Sequence, residues 1–284
     1  MTDARDVVVE HDGLRIHALD WGGDGPPLLL QHPNGFCAGF FDPLARDLAA
    51  DFRPLGVDVR GHGDSERPRG LASCTFPNVT GDVLAVLDAL GVDELLAVGH
   101  SMGGAISVLL DEVRPGIVRK AVLCEAIVFP PGGLPSGRGG ANPMADTARS
   151  RRAVWPDRET VRESYASRPP MDVLEPAALD AYVRYGFHDR ADGQVELACS
   201  PDVEAACFEA AAAPDGATRA FAHLGDFRGD AVVVWGDRTN LPGGAFEAQA
   251  AALGAPAVRV AGSHFFPQED TARMAGIVRE HLLG

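Results

Sequence analysis

The stretch that decides the fold reads GHSMG at residues 99–103 and fits the pattern G-x-S-x-G. Residues 94–98 read as a strand and residues 105–113 as a helix, which is the context in which this pattern carries a reactive serine. The chain turns sharply there, so small residues flank the serine and allow close approach. Ser101 then projects from a helix N-terminus, which stabilises negative charge on a substrate oxygen. Ser101 is therefore the candidate nucleophile, and the alternative is an ordinary glycine-rich turn.

Strand and helix patterns alternate on both sides of this motif. Such alternation predicts an α/β fold, with a mostly parallel sheet and helices on both faces. Eight strands are expected, the first two as a hairpin, at residues 7–10, 14–19, 27–31, 52–59, 94–98, 118–124, 231–235 and 257–260. Helices that alternate with these strands are expected at residues 40–50, 78–90, 105–113 and 271–283.

The alternation stops between residues 126 and 231. Residues 130–140 are rich in Pro and Gly and read as a loop. Helical patterns follow at 160–166, 176–185 and 202–213, without a convincing strand. We therefore predict a core domain from residues 1–126 and 229–284, with residues 127–228 inserted as a mainly helical lid. The aromatic residues of this lid fit a mostly apolar pocket above Ser101.

Size and composition limit the classes of protein that the chain can belong to. It has 284 residues, 46% of them hydrophobic, which is enough for one sizeable core with an inserted lobe. Its formal net charge of −15 disfavours nucleic acid as a partner, because an acidic surface repels phosphate. The five cysteines are odd in number and widely spaced, so we expect buried thiols rather than a disulfide framework or a zinc site.

No targeting or membrane signal is apparent in the sequence. The first ten residues lack the basic start and apolar run of a signal peptide. No apolar run approaches the ~18 residues that a membrane helix needs. We therefore expect a cytoplasmic protein whose partner is a small-molecule substrate rather than a membrane. Association into a homodimer is left open.

The sequence GSHF at residues 262–265 supplies a candidate base. It follows the last predicted strand and precedes the last helix, so a histidine comes after the serine in chain order, as in hydrolases built on such sheets. A serine hydroxyl is a weak nucleophile until a base takes its proton, and histidine titrates near neutrality. We assign this role to His264; the alternative is a structural histidine.

The loop after the third predicted strand, HPNGF at residues 32–36, is the candidate site for binding an oxyanion. A loop at this place supplies one backbone N–H, and the residue after the nucleophile, Met102, supplies the other. Pro33 has no N–H and is excluded. Asn34 and Gly35 are the remaining candidates, and a plain Asn-Gly turn is the alternative.

Five motifs together resemble the α/β-hydrolase superfamily over about two thirds of the chain: HPNG at 32–35, DVRGHGDS at 58–65, GHSMGG at 99–104, VWGD at 234–237 and GSHF at 262–265. The resemblance implies the α/β-hydrolase fold but does not specify a substrate. In such proteins the turn at 60–65 is usually architectural, so we give His62 no catalytic role. One departure is His32-Pro33, where the family usually has His-Gly.

The resemblance leaves two candidates for the acid that orients the histidine. The family usually places an aspartate where this chain has Thr239, in the turn after the seventh strand. Asp237 lies in the same turn, and Glu125 ends the sixth strand, 24 residues after Ser101. Some haloalkane dehalogenases and the resorcylic-lactone hydrolases have a glutamate at the matching place. We favour Glu125 and keep Asp237, in a solvated turn, as the alternative.

The resemblance implies a serine hydrolase that cleaves an ester or lactone of a hydrophobic small molecule through an acyl-enzyme on Ser101. No metal or organic cofactor is implied. The same fold and triad serve carbon–carbon bond hydrolases, acyltransferases and perhydrolases, and some members are ligand receptors. Epoxide hydrolases and dehalogenases of this fold use an aspartate nucleophile, so Ser101 argues against both.

Overall fold

The computed structural model describes residues 4–134 and 142–284. Its strands form a large sheet and a small second sheet. The strands are β1 (Arg5–His11), β2 (Leu14–Asp20), β3 (Pro27–Gln31), β4 (Arg53–Asp58), β5 (Leu95–His100), β6 (Val118–Cys124), β7 (Val154–Trp155), β8 (Phe187–Asp189), β9 (Val195–Leu197), β10 (Asp230–Gly236) and β11 (Ala257–Val260). Eight of them form one sheet in the order β1-β2-β4-β3-β5-β6-β10-β11. From β4 onward every neighbouring pair is parallel. The predicted fold class and all eight strands are confirmed.

The described chain has α-helices on both faces of this sheet and in the segment inserted after β6. They are α1 (Asp42–Leu48), α2 (Phe76–Ala89), α3 (Met102–Val113), α4 (Pro143–Arg149), α5 (Arg158–Ala166), α6 (Pro176–Tyr185), α7 (Pro201–Ala212), α8 (Ala217–His223), α9 (Gly243–Leu253), α10 (Phe266–Glu269) and α11 (Thr271–Leu283). Successive strand residues point to opposite faces, so Leu28 and Leu30 pack in the layer with α1 and α11, and Leu29 packs with α2 and α3. Because both faces are covered, the central strands are mostly apolar.

The segment predicted as a lid, residues 127–228, is called the cap below. It contains α4 to α8, and it also contains a small antiparallel sheet in the order β7-β9-β8. The expectation that this segment has no strand was therefore wrong. Strands of two or three residues are too short to show a period of two in the sequence.

Phe208 of the cap lines the cavity above Ser101, but most aromatic residues of the cap pack elsewhere. Trp155, Tyr182 and Phe187 form a buried cluster with Phe36 and Phe40 of the core. The rings of Phe36 and Tyr182 lie 4.6 Å apart between centroids. This cluster joins the cap to the loop after β3, and the predicted pocket has other walls.

All five cysteines are buried and free. Within the described ranges, no helix has both the length and the apolar character needed to cross a lipid bilayer.

A buried histidine ties the edge strands to the loop before α1. His17 Nδ1 lies 2.8 Å from Asp58 Oδ2, and its Nε2 lies 3.0 Å from Asp6 Oδ1. Asp58 Oδ1 also accepts the N–H of Ala38 at 2.7 Å. Burial lowers the pKa of His17, but the hydrogen bonds and charges of Asp58 and Asp6 outweigh it and raise the pKa from 6.5 to about 9. His17 is therefore protonated at neutral pH.

This histidine should make stability fall at alkaline pH. A pKa raised on folding stabilises the protein fully below pH 6.5, and that stabilisation is lost as the pH rises through about 9. The contribution is about 3 kcal/mol. Urea unfolding of the wild type and of His17→Gln should differ by about this free energy at pH 6 and much less at pH 9.5. A difference that is constant across this range would show that His17 is not charged in the folded state.

Candidate active site

Ser101 lies in a strained turn between β5 and α3. Its φ of 56° and ψ of −114° are unusual for a residue with a side chain. The turn is tight enough to need glycine on both sides. A Cβ on Gly99 would lie 2.5 Å from the carbonyl oxygen of Gly103, and one on Gly103 would lie 2.1 Å from that of Gln31. The sequence pattern therefore has a direct steric cause.

The turn leaves Ser101 at the N-terminus of α3. Met102 is the first residue of that helix, and the N–H groups of a first helical turn have no acceptor within the helix. Ser101 N–H donates to the carbonyl of Cys124 at 2.9 Å. Because Glu125 follows Cys124, the candidate nucleophile and the candidate acid lie at the ends of adjacent strands.

The loop at residues 32–36, here called the oxyanion loop, contains the two candidates for the second N–H of the oxyanion hole. Gly35 N–H donates to His62 Nε2 at 3.2 Å, so it is already engaged in this structure. Of the two candidates that the sequence left open, Gly35 therefore fits the role of donor less well than Asn34. Among the described residues, no hydrogen bond uses the N–H of Asn34. Asn34 and Met102 remain as the pair of donors.

His62 has a role that the sequence analysis missed. Burial, followed by the charge of His32, lowers the pKa of His62 to about 3, so the ring is neutral. Its Nδ1 lies 3.2 Å from the carbonyl oxygen of Arg60. A proton on Nδ1 serves that carbonyl and leaves Nε2 to accept from Gly35, whereas a proton on Nε2 serves Asn34 Oδ1, which lies 3.1 Å away. The ring therefore holds the oxyanion loop from the core side.

His264 and Glu125 are brought together. His264 lies between β11 and α10, and its Nδ1 is 3.0 Å from Glu125 Oε2. Glu125 is fully buried directly after β6, in a left-handed conformation with φ of 48°. Two other donors reach its carboxylate: Gly236 N–H bonds Oε1 at 2.8 Å, and Thr239 Oγ1 bonds Oε2 at 2.6 Å. Three donors thus satisfy the buried charge, as burial of a carboxylate requires.

Thr239 and Asp237 are placed differently from each other. Thr239 stands where the family usually has its acid, and it donates to the carboxylate of Glu125. Asp237 instead accepts the N–H of Gly262 at 2.9 Å, and its side chain is 43% exposed. That backbone hydrogen bond, followed by the charges of Arg238 and Arg259, lowers the pKa of Asp237. No hydrogen bond within the described chain joins Asp237 to His264.

His100, the residue before Ser101, also contacts His264. The sequence analysis did not identify this role. Its Nε2 lies 2.8 Å from the backbone carbonyl of His264, so Nε2 carries the proton and donates. Burial, followed by the charge of His264, lowers the pKa of His100 well below 6.5, and the ring is neutral. The bond spans 164 residues, which a sequence pattern cannot reveal. His100 fixes the backbone of His264.

Ser101 and His264 are not bonded through their side chains: no hydrogen bond joins Oγ to Nε2 in the part of the chain described. Catalytic hydrogen bonds are often long in a protein without substrate and tighten when it binds. Glu125 fixes the far side of the imidazole, so Nε2 is the nitrogen left for a substrate-side role.

A cavity opens above Ser101 between the core and the cap. Its walls are mostly apolar, from Phe76, Met102, Ile127, Leu134, Met144, Cys207, Phe208, Ala211 and Ala212, with Asn34, Ser101 and Asn142 as the polar members. The two amides are already engaged: Asn34 Nδ2 donates to the carbonyl of Glu204 and Asn142 Nδ2 to that of Phe208, both at 2.8 Å. No charged residue lies among these described walls.

The sheet, the strained serine turn and the histidine after the last strand define an α/β-hydrolase. A sequence profile described as the alpha/beta hydrolase fold matches residues 26–194, and the chain belongs to that family.

Three similar proteins illustrate the range of the family. Epoxide hydrolase 1 of Caenorhabditis elegans is 28% identical over 115 residues, which cover 39% of this chain and 28% of that protein. The structure of E-2-(acetamidomethylene)succinate hydrolase has a TM-score of 0.83 at 20% identity, over 99% of this chain and all of that one. The enol-lactonase of Burkholderia xenovorans LB400 has a TM-score of 0.73 at 22% identity, over 99% and 100%.

These similarities show the fold and no more. The chain spans 28% to 41% of the length of the first curated relatives that it matches. The identities to the two solved structures are below 25%, where chemistry varies widely on one fold. The activity must therefore be argued from the site.

Proposed function

We propose that the protein is a serine hydrolase that cleaves a carboxylic ester or lactone of a hydrophobic small molecule through an acyl-enzyme on Ser101. One observation carries the proposal: a serine on a strained turn faces an apolar cavity, beside a histidine whose Nδ1 bonds a buried glutamate at 3.0 Å. Nucleophile, base and orienting acid are the three parts that activate a serine hydroxyl.

The reaction follows from this geometry in two steps. His264 Nε2 takes the hydroxyl proton as Ser101 Oγ bonds to the carbonyl carbon, and the N–H groups of Met102 and Asn34 stabilise the resulting oxyanion. The carbon–oxygen bond to the alcohol then breaks, and His264 returns the proton to the leaving oxygen. Water then attacks the acyl carbon as His264 takes its proton. The bond from that carbon to Ser101 Oγ breaks, His264 returns the proton to Oγ, and the acid is released. Glu125 holds the imidazole with Nε2 facing Ser101 and stabilises its charged form.

The cavity favours an uncharged apolar acyl group. Its amide side chains are already hydrogen-bonded to the backbone. A charged group bound there would lose its hydration without gaining a partner. We further propose that the cap, which supplies Met144 and Phe208 to the walls, acts as a lid that sets substrate choice. A relative is named as an epoxide hydrolase; the serine at position 101 supports ester chemistry instead.

An ester series tests this proposal. The protein should hydrolyse p-nitrophenyl butyrate, and it should hydrolyse the p-nitrophenyl monoester of succinate, which adds a carboxylate, with kcat/KM lower by about 100-fold, because that charge enters an apolar cavity. Release of p-nitrophenol measures both rates, and the spontaneous hydrolysis of each ester is the control. Preference for the anionic ester would overturn the assignment of the acyl group. Binding of esters without turnover would indicate a ligand receptor.

A further inference from the structure

Two helices of the cap hold consecutive residues of the oxyanion loop. Tyr182, in α6, is fully buried, and its hydroxyl donates to the carbonyl of Gly35 at 3.2 Å. The side chain of Asn34 donates from Nδ2 to the carbonyl of Glu204, in α7, at 2.8 Å. The cap therefore lines the cavity, and it also bonds the loop whose backbone carries a proposed oxyanion donor.

The direction of the Tyr182 hydrogen bond is fixed by its neighbour Arg151. The guanidinium of Arg151 lies 3.0 Å from the Tyr182 oxygen and can only donate. The oxygen of Tyr182 accepts that bond, so its single proton is left for the carbonyl of Gly35. Arg151 is itself held by an ion pair with Glu204. Burial raises the pKa of Tyr182, so the hydroxyl keeps its proton throughout the working range of pH.

The oxyanion loop needs such external support. Gly35 has a φ of +80°, and a glycine backbone is not restrained by a side chain of its own. A Cβ at this position would lie 2.7 Å from the carboxyl carbon of Glu204, so a larger residue would have to displace that carboxylate. His62 holds Gly35 by its N–H and Tyr182 holds it by its carbonyl. The peptide whose carbonyl Tyr182 holds also carries the Phe36 N–H, which donates to the carbonyl of Pro33 at 3.2 Å. That carbonyl belongs to the same peptide as the Asn34 N–H, so these contacts set the orientation of the proposed donor.

We propose that Tyr182 is a positioning residue of the active site: its hydroxyl holds the carbonyl of Gly35 so that the N–H of Asn34 faces the developing oxyanion. The docked cap thereby completes the oxyanion hole, in addition to enclosing the substrate. This inference rests on the proposed function, because an oxyanion hole matters only if Ser101 is acylated.

Tyr182→Phe tests the inference, because it removes the hydroxyl and keeps the ring. With p-nitrophenyl butyrate, kcat should fall about 10- to 100-fold, since a small misplacement of a catalytic group has effects of this size. KM should stay within about twofold, because the hydroxyl does not line the cavity. The rate constant for labelling by a fluorophosphonate probe should fall in parallel, since the phosphoryl oxygen occupies the same hole.

Tyr165→Phe is the matched control. The Tyr165 ring stacks on that of Tyr182 at 6.1 Å, and its hydroxyl lies 3.4 Å from the same guanidinium, but within the described chain that hydroxyl makes no hydrogen bond to the oxyanion loop. Its kcat and labelling rate should stay close to those of the wild type. Equal losses in both variants would overturn the inference, because they would place the effect in the Arg151 network.

Other outcomes are equally decisive. Unchanged kcat and labelling in a folded Tyr182→Phe would overturn the inference and leave the proposed function intact. A wild type that neither turns over esters nor reacts with the probe would overturn both. If circular dichroism shows that Tyr182→Phe does not fold, Asn34→Ala removes the second bond to the cap. Loss of kcat and of the labelling rate in that variant supports the role of the cap in completing the oxyanion hole, and wild-type values of both reject it.

Discussion

Ser101→Ala is expected to lower kcat for p-nitrophenyl butyrate by about 10⁶-fold, the scale seen when the nucleophile of a well-studied serine triad is removed. Without Oγ no acyl-enzyme forms, and only binding and oxyanion stabilisation remain. The variant should fold, because alanine is smaller than serine and both residues meet the same strain at a φ of 56°. A fluorophosphonate probe should label the wild type, and mass spectrometry should place the adduct on Ser101.

Ser107→Ala is the control for this experiment. Ser107 is also buried in α3 and donates to the carbonyl of Gly103 at 2.9 Å, but it does not line the cavity. It should keep most of the activity and all of the labelling. An adduct on any residue other than Ser101, or substantial turnover by Ser101→Ala, would remove the basis of the proposed function.

The fold was predictable because its signals are local. A strand buried on both faces gives a short apolar run, and a surface helix gives a stripe, and both can be read within a dozen residues. The strands β6 and β11 match the sequence prediction residue for residue. The three strands of the cap were missed because β7, β8 and β9 have only two or three residues each.

The positions of Ser101 and His264 were predictable from motifs, but their supporting contacts were not. His62 meets Gly35 across 27 residues, and Tyr182 meets it across 147. Such pairs depend on how the cap lies on the core, which no local pattern encodes. The choice between Asn34 and Gly35 as oxyanion donor has the same origin, since only the fold shows that the N–H of Gly35 is already engaged.

The sequence left two candidates for the acid that orients His264, because the choice between them depends on strand register. Glu125 and Asp237 follow the neighbouring strands β6 and β10, and both could reach the same edge of the sheet. Glu125 has a left-handed backbone conformation, which directs its side chain toward His264. The residue type alone does not predict that conformation. The hydroxyl of Thr239 then occupies the space where the more usual acid would lie, and it adds a donor to Glu125.

Glu125→Gln is expected to reduce kcat by about 10⁴-fold, as in the best-studied triad when its acid becomes an amide. The carboxylate accepts from three donors, at Gly236, Thr239 and His264. A glutamine offers one oxygen and one NH₂ group. The NH₂ group must then face a donor from which it cannot accept a hydrogen bond. The imidazole then loses its orienting bond, and its charged form loses a buried counter-charge. Turnover of p-nitrophenyl butyrate measures the loss.

Asp237→Asn separates this assignment from the more usual arrangement of the triad. Asparagine keeps the oxygen that accepts the N–H of Gly262, and the side chain is 43% exposed, so the change should cost less than about tenfold in kcat. Both variants change a carboxylate to an amide of almost equal volume, and circular dichroism should show both folded. A crippled Asp237→Asn beside an active Glu125→Gln would mean that His264 turns to the other strand end when substrate binds, and the acid would have to be reassigned.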